Sequence, residues 1–424
     1  MAVEAIHPMK RPEIFVCLPN FSGGGAEKVM TLVVHHLSSA GWNVPDENLS
    51  DQKRPPIAPA ILSQKQTCTR QEWHLSHETK SAFDLTCVVL ADDGPLKTVV
   101  SKRCDIINLQ AKSALRAIVS FIKLFRERKP QIVVSTLAYF NFVIVMTLLF
   151  SCHMPKRTVV REANIPSSTI ESLPVRWLGG FLSRWLYNRA DIVVCNSCET
   201  MNELVALGVD RSRVALIPNP VDVDGVRKQA QEAFSLPDFL DPSLPFFVSL
   251  GRLTKQKGMD RLINWVASMG SDVNLLIIGQ GPEHDELERL IDGNGLTGRA
   301  KIVDFKDNPF PYMSNADAVL LGSRWEGLPN VALEALALGK QVVATTNCGG
   351  LLDMKHLLDD QALVVADTDA AYISMLNKIA DRCHSNRDIK KTNFRDNQLA
   401  DSKLPSNYNL ESVMEKYEAA IFGR

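Results

Sequence analysis

Apolar runs of strand length alternate with amphipathic stretches of helix length over most of the chain. The first run, residues 14–18, is followed by a glycine turn and by residues 26–40, where apolar side chains recur every three or four positions. The alternation continues with strands at 85–90, 131–135, 158–161, 191–195 and 214–217, and with helices at 113–128, at a segment ending near 150 and at 174–188. Strands that alternate with helices predict a parallel, doubly wound sheet.

A second alternating series starts at residues 246–250. It continues with strands at 273–278, 301–305, 318–321 and 341–344 and with helices at 259–269, 284–291, 311–315 and 331–338. A chain of 424 residues is too long for one ordinary core. We therefore expect an α/β protein with two Rossmann-like domains, residues 1–218 and 219–406, with the boundary near 219–245.

One segment interrupts the pattern. Residues 45–83 are polar, contain prolines and lack periodicity, which predicts an insertion or long loop in the first domain. His74 and His77 lie in this insertion, but two histidines without further ligands do not indicate a metal site.

The composition indicates a soluble enzyme. Formal net charge is −1, and 45% of the residues are apolar and 22% charged. Nine cysteines without a regular spacing predict reduced thiols in a cytoplasmic protein, and Cys195 and Cys198 form a C-x-x-C with no second pair. The N-terminus has no apolar stretch typical of a secretion signal.

The charge is unevenly distributed. Residues 97–189 contain fifteen Lys and Arg but four acidic residues. The longest apolar run, 140–150, is too short to span a membrane, so it predicts a buried helix. Rings and cations alternate at helical spacing at Arg176, Trp177, Phe181, Arg184 and Trp185. This pattern suits contact with an anionic membrane surface, although burial against the sheet explains the tryptophans equally well.

Two glutamates mark a candidate site. Glu326 and Glu334 stand eight residues apart, directly after the predicted strand 318–321. Gly327 permits a tight turn, and Asn330 is a plausible N-cap for the helix 331–338. Glu334 near a helix start has a structural explanation in the helix dipole, whereas Glu326 in the preceding loop does not.

This segment resembles the Glu-x7-Glu signature of the fourth family of retaining nucleotide-sugar glycosyltransferases, and the resemblance covers most of the chain. It implies the GT-B architecture, in which two Rossmann-like domains face a cleft, with the acceptor on the N-terminal side and the nucleotide sugar on the C-terminal side. It also implies that the C-terminal helix, 407–424, crosses back onto the first domain. Glu326 would hold hydroxyls of the donor sugar, and Glu334 the ribose.

Two cations complete the predicted catalytic set. Arg252 and Lys257 lie in a glycine-bounded loop just after the strand 246–250, where open parallel sheets bind ligands. A guanidinium and an ammonium at one point would neutralise a diphosphate. The family uses the matching pair in this way; the simpler alternative is two solvated surface cations.

The resemblance also implies a set of donor-binding positions. Gly23, Gly24 and Gly25 match the family's N-terminal glycine loop, and the loop 347–353 resembles its Gly-Gly loop. The full predicted set is Gly23, Gly24, Gly25, Gly251, Gly327, Leu328, Asn330, Phe305, Gly349 and Gly350. The alternative interpretation of Phe305 is that it is simply a core residue. Asp353 stands near the place of a family glutamate, which leaves its role open.

No metal or other cofactor is expected. Asp222 and Asp224 match the D-x-D pattern of metal-dependent glycosyltransferases but follow the interdomain signature Pro218–Val221, so they are assigned to the linker. The two cations and the helix dipole would supply the positive charge instead. A histidine that many family members carry in the first domain cannot be placed here, and Glu162 and Asn164 are the candidates at that strand end.

The predicted function is therefore transfer of a sugar, with uridine diphosphate the expected carrier, to a glycan or lipid-linked glycan in cell-surface polysaccharide or lipopolysaccharide synthesis. The expected partners are the nucleotide-sugar donor and this acceptor. Peripheral contact with an anionic membrane is a further option, and no nucleic acid is expected to bind. A catalytically silent nucleotide-sugar-binding protein is the alternative. A nicotinamide-dependent oxidoreductase is disfavoured because no G-x-G-x-x-G follows the first strand.

Overall fold

The computed structural model describes residues 11–39, 83–167, 176–234, 237–238, 240–387 and 399–423. The predicted insertion, including His74 and His77, lies outside these residues except for Phe83. The chain divides into two compact units. The first contains residues 1–195, 200–217 and 414–424, and the second contains residues 196–199 and 218–413.

The first unit is built on a seven-stranded parallel sheet of order β3-β2-β1-β4-β5-β6-β7. Its strands are β1 Glu13–Leu18, β2 Asp84–Val89, β3 Asp105–Asn108, β4 Ile132–Thr136, β5 Arg157–Glu162, β6 Ile192–Cys195 and β7 Val214–Leu216. Its helices are α1 Gly25–Ser39, α2 Lys97–Ser101, α3 Ala114–Arg128, α4 Ala138–Phe150, α5 Arg176–Tyr187 and α6 Cys198–Ala206, and the first two residues of α6 belong to the second unit. The central strands are buried on both faces, as parallel sheets require.

The second unit has a six-stranded parallel sheet of order β10-β9-β8-β11-β12-β13. Its strands are β8 Phe246–Leu250, β9 Asn274–Ile278, β10 Ala300–Val303, β11 Ala318–Leu320, β12 Gln341–Thr345 and β13 Leu363–Ala366. Its helices are α7 Val223–Ala230, α8 Met259–Ala267, α9 His284–Gly293, α10 Phe310–Asn315, α11 Asn330–Ala337, α12 Gly349–Lys355 and α13 Asp369–Arg387. Two apolar clusters cover its two faces. The predicted doubly wound α/β architecture is confirmed in both units.

The last helix, α14 (Leu410–Phe422), changes unit along its length. Residues from Met414 onward belong to the first unit, where Glu418 lies 2.5 Å from the His36 ring and Arg157 Nε donates to Ala420 O at 2.6 Å. Phe422 contacts Phe83 with ring centroids 5.9 Å apart. The C-terminal segment is therefore an integral part of the first unit.

Helix α4 departs from the prediction of a buried helix over 140–150. Phe140 and Ile144 are buried in the core, but Phe150 is 61% exposed at the C-terminal end. Among the described residues no helix is both long and apolar enough to cross a bilayer.

Candidate active site

The site of the second unit lies at its topological switch point. The chain runs from β8 outward through β9 and β10 and then returns to β11 on the other side of β8. In such sheets the loops that leave the two central strands at their carboxyl ends diverge and leave a crevice for a ligand. Residues 251–258 form the β8 loop and residues 321–329 form the β11 loop. These two loops carry Arg252, Lys257 and Glu326.

The structure brings together two of the predicted catalytic residues. Lys257 Nζ lies 2.9 Å from Glu326 Oε1, and their side chains are only 18% and 10% exposed. The Ser323 hydroxyl also donates to Glu326 Oε1. Because this pair is shielded from solvent, its charges act more strongly on a nearby ligand than exposed charges would. The site thus holds one fixed cation and one fixed carboxylate side by side.

A close backbone approach joins the β8 and β11 loops. Gly258 has φ +61°, and a Cβ added there would lie 2.1 Å from Gly322 O. A side chain at this position would therefore combine a left-handed conformation with a backbone clash. Only glycine lets Lys257 and the β11 loop come this close.

Hydrogen bonds strengthen the same junction. Arg324 Nη1 and Nη2 donate to the two oxygens of Asp260 at 2.8 and 2.6 Å, and Arg324 N donates to Gln256 O at 2.8 Å. Gln256 Nε2 donates to Trp325 O at 3.1 Å. The hydrogen bonds from Arg324 lower the pKa of Asp260, which keeps the carboxylate charged. This bidentate pair fixes the β11 loop against the first turn of α8, directly after the β8 loop.

The β11 loop is also tied to the segment after β12. Glu326 N donates to Asn347 O at 2.9 Å, Gly349 N to Glu326 O at 3.2 Å and Gly350 N to Gly327 O at 2.6 Å. The prediction of a loop over 347–353 is wrong, because helix α12 starts at Gly349. Two glycines suggest a turn in isolation, but here they allow the β11 loop to lie against the helix start. A Cβ on Gly350 would lie 2.5 Å from Gly327 O.

Burial around Glu326 extends to a cysteine. Cys348 is fully buried, and burial together with the nearby Glu326 charge raises its pKa to about 12. Thr345 Oγ1, on the same side, donates to Ser323 O at 2.9 Å. The thiol is therefore a neutral packing group beneath the carboxylate.

The other predicted donor residues have different environments. Arg252 is exposed, with Nη2 3.5 Å from Gln256 Oε1, and Gly251 begins the β8 loop. Phe305 is exposed just beyond β10, which contradicts the alternative that it is a core residue. Leu328 is buried in the core of the second unit, so any ligand contact there would come from its main chain. Glu334 lies half-buried in α11.

The sequence predicts that Asn330 caps helix α11, and this prediction is wrong. Asn330 is the first helical residue, and Pro329 occupies the N-cap position. Its Oδ1 accepts from Asn219 Nδ2 at 2.6 Å, and the same nitrogen donates to Leu328 O at 2.9 Å. Asn219 is buried and belongs to the second unit. The segment predicted as an interdomain signature therefore also fixes the β11 loop.

Asp353 has a structural partner. Its Oδ2 accepts from Cys198 N at 2.7 Å, and burial raises its pKa. In the same segment, Glu199 lies against Gly349, where an added Cβ would come 1.6 Å from Glu199 Oε2. Residues 196–199 thus pack on the start of α12 within the second unit.

The first unit has its own switch point between β1 and β4. The glycines predicted as donor-binding lie here: Gly23 has φ +79°, Gly24 O accepts from Lys28 N at 2.9 Å and Gly25 is the first residue of α1. After β4, Leu137 adopts φ +74°, which is rare for a residue with a side chain. Two unusual backbone conformations therefore shape this edge of the sheet.

Both carboxylate oxygens of Glu162, at the end of β5, accept hydrogen bonds from other groups of the protein. Glu162 is 1% exposed, its Oε1 accepts from Asn164 N at 3.1 Å, and its Oε2 accepts from the Tyr187 hydroxyl. Burial raises its pKa, with the hydrogen bonds acting in the opposite direction. It holds the chain that follows β5.

The D-x-D pattern has a local explanation. Asp222 is the N-cap of α7, with its Oδ1 accepting from Gly225 N at 2.9 Å, and Asp224 lies in the first helical turn. Both positions favour a carboxylate for reasons of capping and dipole alone. Within the described ranges, no group of three or more His, Cys, Asp or Glu is arranged to hold a metal ion.

Several residues of this site were not predicted. Ser323 and Arg324 stand just before Glu326 in sequence but have no spacing that reveals a role. Asp260 and Asn219 reach the β11 loop from 64 and 109 residues away in sequence. Only the tertiary structure brings them to it.

Comparison with known proteins agrees with the fold. The model of the family "Glycosyl transferases group 1" matches residues 237–395, and that of "Glycosyltransferase Family 4" matches residues 73–224. Among solved structures, Anabaena HepE in complex with UDP-glucose has a TM-score of 0.69 at 16% identity, covering 97% of this chain and 100% of that one. At this identity the likeness concerns the fold.

Two curated relatives are similar over shorter stretches. The first is the N-acetylgalactosamine-N,N'-diacetylbacillosaminyl-diphospho-undecaprenol 4-alpha-N-acetylgalactosaminyltransferase of Campylobacter jejuni, 28% identical over 54% of this chain and 60% of that protein. The second is the lipopolysaccharide core biosynthesis glycosyltransferase LpsE of Rhizobium meliloti, 31% identical over 41% of this chain and 49% of that protein. The chain thus spans less than two thirds of the length of either relative. The two family models match successive parts of the chain, and its fold of two Rossmann-like units is similar to that of solved glycosyltransferases.

Proposed function

We propose that the protein transfers a hexosyl group from a nucleoside-diphosphate sugar, with UDP the expected carrier, to a glycan or lipid-linked glycan, with retention of anomeric configuration. The observation that supports this most is the Lys257–Glu326 pair at the switch point of the second sheet, with Arg252 in the same loop. A diphosphate needs cations, and a sugar needs fixed hydrogen-bond acceptors. This site supplies both.

Each group has a role in the proposed reaction. Lys257 and Arg252 bind the diphosphate and stabilise the charge that develops on the departing nucleotide. Glu326 accepts hydrogen bonds from the sugar hydroxyls, and Glu334 from the ribose. As the bond from the anomeric carbon to the phosphate oxygen breaks, the acceptor oxygen forms a bond on the same face and its proton passes to the departing phosphate. Because two cations supply the positive charge, we propose that transfer does not depend on a metal.

The relatives support the substrate classes. HepE has been solved with UDP-glucose, and the Campylobacter enzyme is named for a diphospho-undecaprenol acceptor. LpsE is named for lipopolysaccharide core biosynthesis. We therefore propose a role in polysaccharide or lipopolysaccharide synthesis in the cytoplasm, with Gly23, Gly24 and Gly25 of the first unit on the acceptor side.

The test is a donor screen followed by product analysis. UDP-, GDP- and ADP-sugars are first compared by thermal shift, since a ligand at 100 times its Kd stabilises by about 2.7 kcal/mol. The donor that binds is then incubated with lipid-linked acceptors, and the anomeric configuration of the product is read by NMR. We expect a UDP-sugar to bind and the product to retain its configuration. An inverted product contradicts the mechanism, and binding without any transfer indicates the silent binding protein.

A further inference from the structure

The segment that follows β4 has a strained backbone. Leu137 adopts φ +74° and ψ 130°, a combination outside the left-handed helical region that residues with a side chain rarely adopt. Strain of this kind persists only where the surrounding structure imposes it, and it is concentrated at ligand sites. Strand β4 is the central strand of the seven-stranded sheet. A strained leucine at its carboxyl end therefore indicates a function at this edge of the sheet.

Buried polar groups hold this segment in place. Leu137 N donates to Arg161 O at 3.2 Å, and Asn141 Nδ2 donates to the same oxygen at 2.9 Å. The other end of the Asn141 amide accepts from Ser135 Oγ at 2.7 Å. Asn141 is only 2% exposed, so these bonds form away from solvent. Asn141 thereby ties the first turn of α4 to the ends of β4 and β5.

The segment held in this way presents Tyr139, the second residue of α4. Tyr139 is 55% exposed. Helical side chains lean toward the N-terminus of their helix, and the N-terminus of α4 adjoins the carboxyl end of β4. Strands β1 and β4 flank the switch point of this sheet. An exposed aromatic ring therefore stands at the edge where open parallel sheets bind ligands.

The aromatic residues predicted for membrane contact in α5 have other environments. The ring of Trp185 lies under the guanidinium of Arg189, 3.5 Å from the ring centroid, and packs on the core. Phe181 is exposed along the helix rather than at a strand end. The side chains of Arg176 and Trp177 lie outside the described part of the chain. Trp185 therefore has one face covered, whereas the ring at the start of α4 is exposed.

The loops around the first switch point are uncharged. Residues 19–25, 137–139 and 163–166 follow β1, β4 and β5, and none of them is Lys, Arg, Asp or Glu. Glu27, in the first turn of α1, is 7% exposed, and its Oε1 accepts from Ser22 Oγ at 3.2 Å. This carboxylate therefore supports the glycine loop and is not presented to a ligand.

An exposed aromatic ring among uncharged polar groups fits a neutral sugar. One face of a pyranose carries C–H groups, which pack on the π face of an aromatic ring, while its hydroxyls need hydrogen-bond partners. The half-buried Asn20 and the exposed Ser22 supply an amide and a hydroxyl at this edge. A phosphate or a carboxylate would instead require cations. The chemistry therefore matches a sugar ring without ionised groups.

We propose that Tyr139 binds the accepting pyranose of the glycan by stacking on its C–H face, that this pyranose is uncharged, and that Asn141 is the positioning residue that fixes Tyr139. This assignment rests on the proposed function, in which the first unit takes the acceptor. It adds the chemical class of the accepting sugar and a residue that selects it. Sugar binding at Tyr139 needs no donor, so it can be measured separately from transfer.

The test is saturation-transfer NMR of the full chain with monosaccharides. The neutral ligands are the methyl glycosides of glucose, galactose, N-acetylglucosamine and N-acetylgalactosamine, and the charged ones are methyl glucuronide and glucose 6-phosphate. We expect a neutral glycoside to bind through its ring C–H protons and the charged sugars to bind at least ~10-fold more weakly. Tyr139→Ala should weaken binding of the neutral glycoside roughly 10-fold, and Tyr139→Phe should retain it. Asn141→Leu should weaken it about 3-fold, because the ring is less well fixed.

The matched control lies on the same helix. Phe150 is 61% exposed at the opposite end of α4, so Phe150→Ala removes a ring of similar exposure and should keep wild-type affinity for the glycoside. All variants should keep wild-type affinity for UDP, which a general loss of structure would reduce. Wild-type glycoside affinity of Tyr139→Ala would overturn the proposal, as would equal binding of neutral and charged sugars or no binding of any neutral glycoside. Binding that depends on Tyr139 in a protein that transfers no sugar would support this assignment and contradict the proposed function.

Discussion

The switch points of the two sheets are built in different ways. In the second unit, the β11 loop is joined to helix α8 by Arg324–Asp260 and to the β8 loop by the Lys257–Glu326 pair. In the first unit, the corresponding edge is shaped by backbone conformation, at Gly23 and at Leu137. One edge presents fixed charges and the other presents an unusual main-chain path. Under the proposed function, the fixed charges of the second unit would hold the diphosphate sugar.

The largest effect is expected where the fixed charges are removed. Glu326→Gln should lower transfer at least ~100-fold, because Lys257 loses its carboxylate partner and the donor sugar loses an acceptor. Steady-state kcat/KM with the identified donor measures this. Glu286→Gln, an exposed glutamate in α9, should retain wild-type activity. Near-normal turnover of Glu326→Gln would remove this residue from the mechanism.

The next largest effect concerns the junction of the β8 and β11 loops. Gly258→Ala should destabilise the protein by about 3 kcal/mol, since it adds left-handed strain and places Cβ against Gly322 O. Gly293→Ala is the control, because nothing lies within 4 Å of its added Cβ and alanine favours a helix. Chemical denaturation measures both changes. Equal stability of the two variants would show that the close approach is not required.

A smaller effect tests the first switch point. Leu137→Gly should be more stable than Leu137→Ala by about 1 kcal/mol, because glycine adopts φ +74° without the steric cost that any Cβ carries. Comparing these two variants separates backbone strain from the lost leucine packing. In a helix interior, by contrast, the alanine variant would be the more stable of the two. An alanine variant as stable as the glycine variant would mean that this conformation stores no strain.

The smallest effect is the pH dependence of the Asp260–Arg324 pair. The folded-state pKa of Asp260 lies below its ordinary value, so the unfolded chain binds the proton first as pH falls. The pair's contribution, below about 1 kcal/mol for such a partly exposed group, is present at neutral pH, starts to fall near pH about 4 and is lost as pH falls through the lower folded-state pKa. Asp260→Asn should therefore melt lower than wild type at pH 7, with the difference closing in acid. A constant difference would assign the effect to packing.

The strands were the most predictable part of the fold. Parallel strands are buried on both faces, so their apolar runs stand out, and β8 was predicted with its observed bounds, Phe246–Leu250. Strand β3, Asp105–Asn108, was missed because its residues are only half-buried or exposed. Helix α12 was missed because its start is formed against the β11 loop, a contact that local propensity does not contain.

The site was predictable to the extent that its residues follow strand ends. Lys257 and Glu326 were found in this way, and the structure shows them in contact. Their supports, Ser323, Arg324, Asp260 and Asn219, act through tertiary hydrogen bonds. Polar residues of these types are common in loops, so the sequence alone does not predict which groups they bind in the folded protein.

Calorimetric titration with UDP distinguishes the proposed donor site from two unrelated surface cations. We expect UDP to bind wild-type protein and to bind Arg252→Ala and Lys257→Ala at least ~10-fold more weakly, since each loses a charged hydrogen bond to the diphosphate. Uridine without phosphates should bind all three proteins alike. UDP affinity unchanged in both variants would contradict the assignment of the β8 loop as the diphosphate site.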